Sequence, residues 1–114
     1  NPLYLPQAKV YDQSCALGPW ITLASAMPDR STIGISMNVW RDDKMVFQGR
    51  TSIEQMARTF EDLIDWLTRE NHFPYGALLM TGTGIVPDSE FTLRRKDLVE
   101  ITIDGVGTLS NPVI

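Results

Sequence analysis

Residues 81–84 combine two hydroxyl groups and two glycines at the end of an apolar run, and this combination could bind an anion. The run at residues 78–80 leads directly into Thr81, Gly82, Thr83 and Gly84. Glycine lets a ligand approach the backbone closely, so that an N–H group and the flanking hydroxyls can hold a carboxylate. The same pattern is also typical of a bulge or bend near a strand end. The residues alone leave both interpretations open.

Lys9 is the second residue with possible chemistry, because it stands between Ala8 and Val10 in an apolar, strand-like stretch. It lies either on the outer face of an edge strand or buried at a site. Burial lowers the pKa of a lysine, which suits the side chain to acid–base chemistry or to pairing with a carboxylate.

Several common catalytic motifs are absent from the sequence. His72 is the single histidine, and no serine lies in a Gly-x-Ser-x-Gly elbow, so a nucleophilic triad is not expected. No lysine follows Gly84 as a Walker loop requires, and the third glycine of a dinucleotide fingerprint is missing. No histidine and carboxylate residues converge at metal-ligand spacing, so we expect no metal ligands in this chain.

Composition narrows the class of protein. The chain has 114 residues, which suits one domain, with 43% hydrophobic residues, 21% charged residues and a net charge of −4. This balance argues against a nucleic-acid partner. No apolar run reaches the roughly 18 residues of a membrane span. The single cysteine, Cys15, excludes an internal disulfide and is compatible with the cytoplasm.

The clearest predicted elements are a hairpin and a helix. Residues 33–40 alternate at period two and residues 45–49 return after a charged turn, which predicts a hairpin. A capping box from Thr51 to Glu54 then predicts one amphipathic helix over about residues 52–70. Its apolar stripe, which we expect to face the core, comprises Ile53, Met56, Ala57, Phe60, Leu63, Ile64 and Leu67.

Further strands are predicted from short apolar runs. These runs are residues 9–11, 20–23, 77–80, 98–103 and 106–109, and the last two flank a two-residue turn at Asp104-Gly105. With six or so strands and one helix, the predicted fold class is α+β, mostly β.

Taken in order, several motifs resemble the fumarylacetoacetate hydrolase family across essentially the whole chain. They are Lys-x-x-Asp at residues 9–12, Leu-Gly-Pro-Trp at 17–20, the hairpin from Asn38 to Gly49-x-Thr51-Ser52, Thr-Gly-Thr at 81–83, and the patterns at 93–100 and 103–113. Two positions depart from the family pattern. Gly84 stands where proline is common, and Lys96 stands where glycine is usual, which predicts strain if the φ angle there is positive.

The resemblance implies a mixed β-roll or sandwich fold, a dimer, and a divalent metal. The metal is generally Mg²⁺, with Mn²⁺ or Ca²⁺ as alternatives, and it stabilises an enolate of a 2-oxo acid. The family's metal ligands precede the segment that matches Lys9. We therefore expect residues 1–114 to be the C-terminal part of a catalytic domain, inactive by itself and without a tightly bound metal.

The resemblance also implies roles for five residues. Lys9 is the expected catalytic residue, Gly82 and Thr83 are expected to hold the substrate carboxylate, and Thr81 and Gln7 are weaker candidates for the same pocket. Residues 5–9 together with 83–87 are most similar to the branch that dehydrates 2-keto-3-deoxy sugar acids. The alternatives are an acylpyruvate or fumarylacetoacetate-type C–C hydrolase, a decarboxylase or isomerase, and a noncatalytic binding or oligomerisation module.

Overall fold

Four antiparallel strands form the sheet of this protein in the computed structural model, which describes residues 10–114. The strands are β1 (Gly34–Arg41), β2 (Lys44–Ser52), β3 (Leu98–Ile103) and β4 (Gly107–Pro112). Their order across the sheet is β2-β1-β3-β4, so the long segment between β2 and β3 crosses over β1 before the chain rejoins the sheet. The expected class, mostly β with one helix, is confirmed.

One face of the sheet is apolar because the period-two residues of β1 and β3 lie side by side. Ile35 pairs with Thr51 on one side and with Ile103 on the other, so these three side chains share a face. Val39 lies on that face too and is almost completely buried. The opposite face is polar, and there Trp40 Nε1 donates to Glu100 Oε2 at 2.7 Å.

The hairpin predicted at residues 33–49 is confirmed. Its turn places Asp42 and Asp43 at φ angles of 49° and 60°, which is the left-handed conformation that a tight two-residue hairpin turn requires. The β3–β4 connection is longer than predicted, because Ile103 pairs with Gly107 and leaves three residues in the turn.

The predicted helix over residues 52–70 begins later than expected. Residues Ile53–Gln55 form one 3₁₀ turn, and the α-helix α1 covers Phe60–Thr68. Its first turn is capped by Thr59, whose hydroxyl accepts from the N–H of Asp62 at 3.1 Å. Thr51, the predicted cap, is instead a β2 residue. At this position the pairing of β2 with β1 is more stable than the beginning of a helix.

The helix stripe is also narrower than predicted. Phe60, Leu63 and Leu67 are half-buried, whereas Ile64 is 53% exposed. Ile53 and Met56 lie before α1, so they do not belong to its stripe. The half-buried positions of this nine-residue helix are therefore its i, i+3 and i+7 positions.

The short strands predicted at residues 20–23 and 77–80 do not form, and Val10 and Tyr11 are likewise outside the sheet. The rest of the first predicted strand lies outside the described residues. In the segment 77–80, Leu78 and Met80 are 70% and 74% exposed. A short apolar run becomes a strand only beside a partner, and within residues 10–114 the sheet does not include this run.

A buried ion pair connects β1 to the turn that precedes β3. The side chain of Asp97 is fully buried, and Arg41 Nε and Nη2 donate to its two oxygens at 2.8 and 2.7 Å. The N–H of Arg94 also donates to this carboxylate, at 2.8 Å. These hydrogen bonds, chiefly those from Arg41, lower the pKa of Asp97 from 3.8 to about 2. The turn also places Lys96 at a φ of 76°, where the family pattern has glycine.

This pKa shift makes a prediction about acid stability. The folded carboxylate has the lower pKa, so its contribution is present above the unfolded pKa of 3.8 and is lost as the pH falls toward about 2. We expect Asp97→Asn to lower the free energy of unfolding at pH 7 and to flatten its dependence on pH between about 5 and 2. Urea unfolding across this range measures both effects.

The matched control is Glu90→Gln, because Glu90 is an exposed carboxylate. It should leave both quantities close to those of the parent protein. An Asp97→Asn variant with the parent's full acid dependence would show that the ion pair does not stabilise the fold.

Candidate functional site

A cavity of about 580 Å³ lies over the apolar face of the sheet, between the segment that leads into α1 and residues 81–84. Its floor is formed by Ile35, Ile101 and Ile103. One side is built by residues between Thr51 and Leu63, and the other by Thr81, Gly82, Thr83 and Gly84. The volume is typical of a pocket for a small organic molecule.

Two glycines allow the segment after residue 81 to lie directly against β2. A Cβ atom at Gly84 would come within 2.8 Å of Thr51 Oγ1, closer than two such atoms pack. A Cβ atom at Gly49 would overlap the side chain of Ile85. Close packing, and not an unusual φ angle, is therefore the reason for glycine at position 84. This contact sets how closely residues 81–84 approach the sheet.

The wall formed by residues 81–84 exposes backbone to the cavity. Gly82 has a φ of +89°, and a Cβ atom placed there would meet nothing within 4 Å. This is the open approach to the backbone that an anion-binding loop needs. Within residues 10–114, neither the N–H of Gly82 nor the hydroxyl of Thr81 has a hydrogen-bond partner.

Thr83 lines the same cavity, but its hydroxyl is bonded within its own loop. It accepts from the N–H of Ile85 at 3.0 Å and stands 3.2 Å from the carbonyl oxygen of Ile85, to which it donates. Its one proton is therefore directed at that carbonyl. In this conformation the hydroxyl of Thr81 and the backbone N–H groups of residues 81–84, that of Gly82 among them, are the donors without a partner within residues 10–114. The role expected for Thr83 in holding a carboxylate stays a prediction.

The electrostatics of the cavity favour an anionic ligand. Within residues 10–114, Arg58 is the one charged residue that lines it, and this part of the lining contains no carboxylate. Arg58 also borders a second cavity, which Glu54 and Glu61 line. This local positive charge stands in a chain with a net charge of −4. Sequence reasoning did not single out Arg58 or Gln55, since neither belongs to a recognisable motif.

Two predicted site residues, Gln7 and Lys9, lie outside the described residues. The structure therefore brings together Thr81, Gly82 and Thr83, and the positions of the other two stay predictions.

The described residues do not supply a metal site. Across residues 10–114, no three histidine, cysteine, aspartate or glutamate side chains are grouped so that they could hold an ion. Magnesium is bound mainly through oxygen ligands, carboxylates above all, and the part of the cavity lining that the structure describes contains no carboxylate. The donor set that this part of the chain brings to the cavity therefore suits the organic ligand and not a cation.

None of the helices in residues 10–114 is long and apolar enough to cross a membrane.

Comparison with known proteins yields a match to the family model described as fumarylacetoacetate (FAA) hydrolase C-terminal, over residues 2–114. A probable 2-keto-3-deoxyxylonate dehydratase of Haloferax volcanii is 42% identical over 99% of this chain and 39% of its own length. A 2-dehydro-3-deoxy-D-arabinonate dehydratase of Saccharolobus solfataricus is 41% identical over 99% of this chain and 38% of its own length.

A solved structure of 2-keto-3-deoxy-D-arabinonate dehydratase, complexed with magnesium and 2,5-dioxopentanoate, has the same fold. It superposes with a TM-score of 0.94 at 41% identity, over 99% of this chain and 40% of that one. The chain thus spans about two fifths of the length of the relatives it matches.

The contact between Gly84 and Thr51 leads to a prediction about stability. In Gly84→Ala, the added methyl group forces Thr51 to move, and overpacking of this kind costs about 1–3 kcal/mol of unfolding free energy. We expect Thr51→Ala to relieve much of that cost, so that the two substitutions are coupled in a double-mutant cycle measured by urea unfolding.

Gly82→Ala is the control, because it strains a positive φ angle without touching Thr51. The loss of unfolding free energy caused by Gly82→Ala should simply add to that caused by Thr51→Ala, with no coupling between the two substitutions. Equal coupling of both glycine variants to Thr51 would contradict the packing explanation.

Proposed function

We propose, given that this chain belongs to the fumarylacetoacetate hydrolase family, that residues 1–114 are the C-terminal part of a Mg²⁺-dependent dehydratase of 2-keto-3-deoxy sugar acids. One observation carries the proposal. Among residues 10–114, Thr81 and Gly82 have donors without a partner and line a cavity whose one charged residue is a cation. Such a wall suits the carboxylate of a 2-oxo acid.

The branch of the family is supported by identity of about two fifths with dehydratases of this class over nearly the whole chain. The solved relative is complexed with magnesium, which is why we include this ion in the proposal. The metal ligands are proposed to lie in sequence beyond the described residues, since those residues offer no suitable group.

Lys9 is proposed as the residue that moves a proton at C3 of the substrate. This carbon is next to the keto group, so its hydrogens are acidic. Removal of one proton expels the hydroxyl at C4, which takes up a proton and leaves as water. The C3–C4 double bond that forms then shifts to C4–C5, and the resulting enol becomes the C5 aldehyde of 2,5-dioxopentanoate. Gly82 and Thr81 hold the carboxylate through their N–H and hydroxyl donors. Thr83 supports the loop through Ile85 and takes part in binding if its hydroxyl turns, while Gln7 is proposed to line the same pocket.

The second candidate is an acylpyruvate or fumarylacetoacetate-type C–C hydrolase, decarboxylase or isomerase, because a carboxylate-binding wall serves any 2-oxo acid. A noncatalytic binding or oligomerisation module is the candidate from another class. The isolated chain, residues 1–114, is proposed to be inactive and to lack micromolar affinity for Mg²⁺, which titration calorimetry measures directly.

We also propose a cytoplasmic homodimer. Exposed apolar residues on and after α1, among them Trp66, Leu78 and Met80, support an interface that covers apolar surface. Sedimentation velocity of the full-length protein measures its oligomeric state, and a monomer at micromolar concentration would contradict the dimer. Cell fractionation tests the location.

The substrate proposal predicts that the full-length protein with Mg²⁺ converts a 2-keto-3-deoxy pentonate to 2,5-dioxopentanoate and leaves acylpyruvates intact. Steady-state assays with both substrate classes measure this. Cleavage of acylpyruvates without turnover of sugar acids would favour the second candidate, and inactivity toward both would favour a binding module.

In the same assay, Lys9→Met should reduce kcat by about 10²–10⁴-fold, the usual contribution of a general base. Lys44→Met is the matched control, because Lys44 is an exposed residue at the start of β2. Near-normal turnover by Lys9→Met would refute the role of Lys9 without touching the choice of substrate.

A further inference from the structure

A second set of donors faces the cavity from the side that leads into α1. Thr51 Oγ1 donates to Gln55 Oε1 at 2.9 Å, which fixes the orientation of the amide. Because the oxygen is used by Thr51, the NH₂ group is turned away from it, and this group has no acceptor within the described residues. Gln55 lines the cavity, so its NH₂ group is available to a ligand.

Arg58 adds a charged donor on the same side. Three other arginines of the chain have side-chain partners: Arg30 pairs with Glu61, Arg41 with Asp97, and Arg69 lies over the ring of Trp66. Arg58 has no ion pair, hydrogen bond or ring contact within residues 10–114, and it lines the cavity. A guanidinium group left without a protein partner is available to oxygen acceptors of a ligand.

The cavity has room for more than an acid group. Its volume of about 580 Å³ lies in the range that holds a whole small molecule, whereas a carboxylate fills only a small part of it. With the carboxylate at Thr81 and Gly82, the remaining atoms of the ligand lie against other parts of the lining. The NH₂ group of Gln55 and the guanidinium of Arg58 are donors, so they match a ligand portion that is rich in hydroxyl or carbonyl oxygens.

We infer that Gln55 and Arg58 form a specificity wall that binds the oxygen atoms of the substrate remote from its carboxylate, and that Thr51 is the positioning residue for Gln55. The inference rests on the proposed function for the class of substrate, because a sugar acid carries hydroxyl groups at that end. A 2-oxo acid without such oxygens gains nothing from this wall.

The test compares two molecules on the full-length protein with Mg²⁺. A 2-keto-3-deoxy pentonate is the substrate. Pyruvate, which has the carboxylate and keto group but no hydroxyls, is the probe for the acid end, and we expect it to inhibit competitively. Gln55→Leu and Arg58→Gln should each raise KM for the sugar acid about tenfold, the effect of losing about 1.4 kcal/mol of binding. The inhibition constant of pyruvate should be unchanged and kcat should stay within about twofold.

Two further variants separate the specificity role from a structural one. Thr51→Val keeps the shape of the side chain but removes its donor, so it should raise KM less than Gln55→Leu and add nothing in the Gln55→Leu background. Arg95→Gln is the matched control, because Arg95 is exposed and does not line the cavity. It should change neither KM nor the inhibition constant.

Unchanged KM in Gln55→Leu and Arg58→Gln would overturn the inference while leaving the proposed function intact. An equal weakening of pyruvate would also overturn it, since these residues would then contact the acid end. If the protein does not dehydrate the sugar acid, the proposed function fails. In that case the specificity wall is tested by calorimetry, in which the sugar acid and pyruvate are each titrated into the parent protein and the variants. If the parent and the variants bind the sugar acid with equal affinity, the inference is overturned.

Discussion

The candidate site depends on how closely residues 84 and 85 approach β2. Neither Gly49 nor Gly84 can carry a side chain without displacing a neighbour, because Ile85 and Thr51 occupy the space that a Cβ atom would need. This steric constraint holds the wall of residues 81–84 at a fixed distance above the isoleucines of β1 and β3. The cavity is the volume that remains between that wall and the segment leading into α1.

The chemistry of the cavity follows from which polar groups the fold has already used. The hydroxyl of Thr83 is bonded to Ile85, and the oxygen of Gln55 is bonded to Thr51. What remains is a set of donors, some in the backbone near Gly82 and some on the side of Arg58, over an apolar floor. A lining that, as far as residues 10–114 form it, has these donors and no carboxylate suits an oxygen-rich anion, and the family match and the similarity to sugar-acid dehydratases are consistent with that.

Sequence patterns predicted the elements that depend on local chemistry. The alternation in residues 33–40 and the charged turn were enough to predict the hairpin. The glycines at 82 and 84 singled out the segment that forms the wall. The helix began late because pairing of Thr51 with Ile35 outweighed the local capping pattern, and Thr59 took the capping role. The run at 77–80 formed no strand, since an apolar run does not specify a partner. Gln55 and Arg58 were not predicted from the sequence, because what distinguishes them is hydrogen-bond donors without a partner. Such donors can be recognised only in the folded structure.

The central claim is that residues 81–84 form the wall that binds the acid group of a 2-oxo acid. A crystal structure of the full-length protein with Mg²⁺ and pyruvate tests it most directly. The proposed site predicts a carboxylate oxygen about 3 Å from the backbone nitrogen of Gly82, within hydrogen-bond distance. Pyruvate bound elsewhere, with residues 81–84 making no contact to its carboxylate, would contradict the claim.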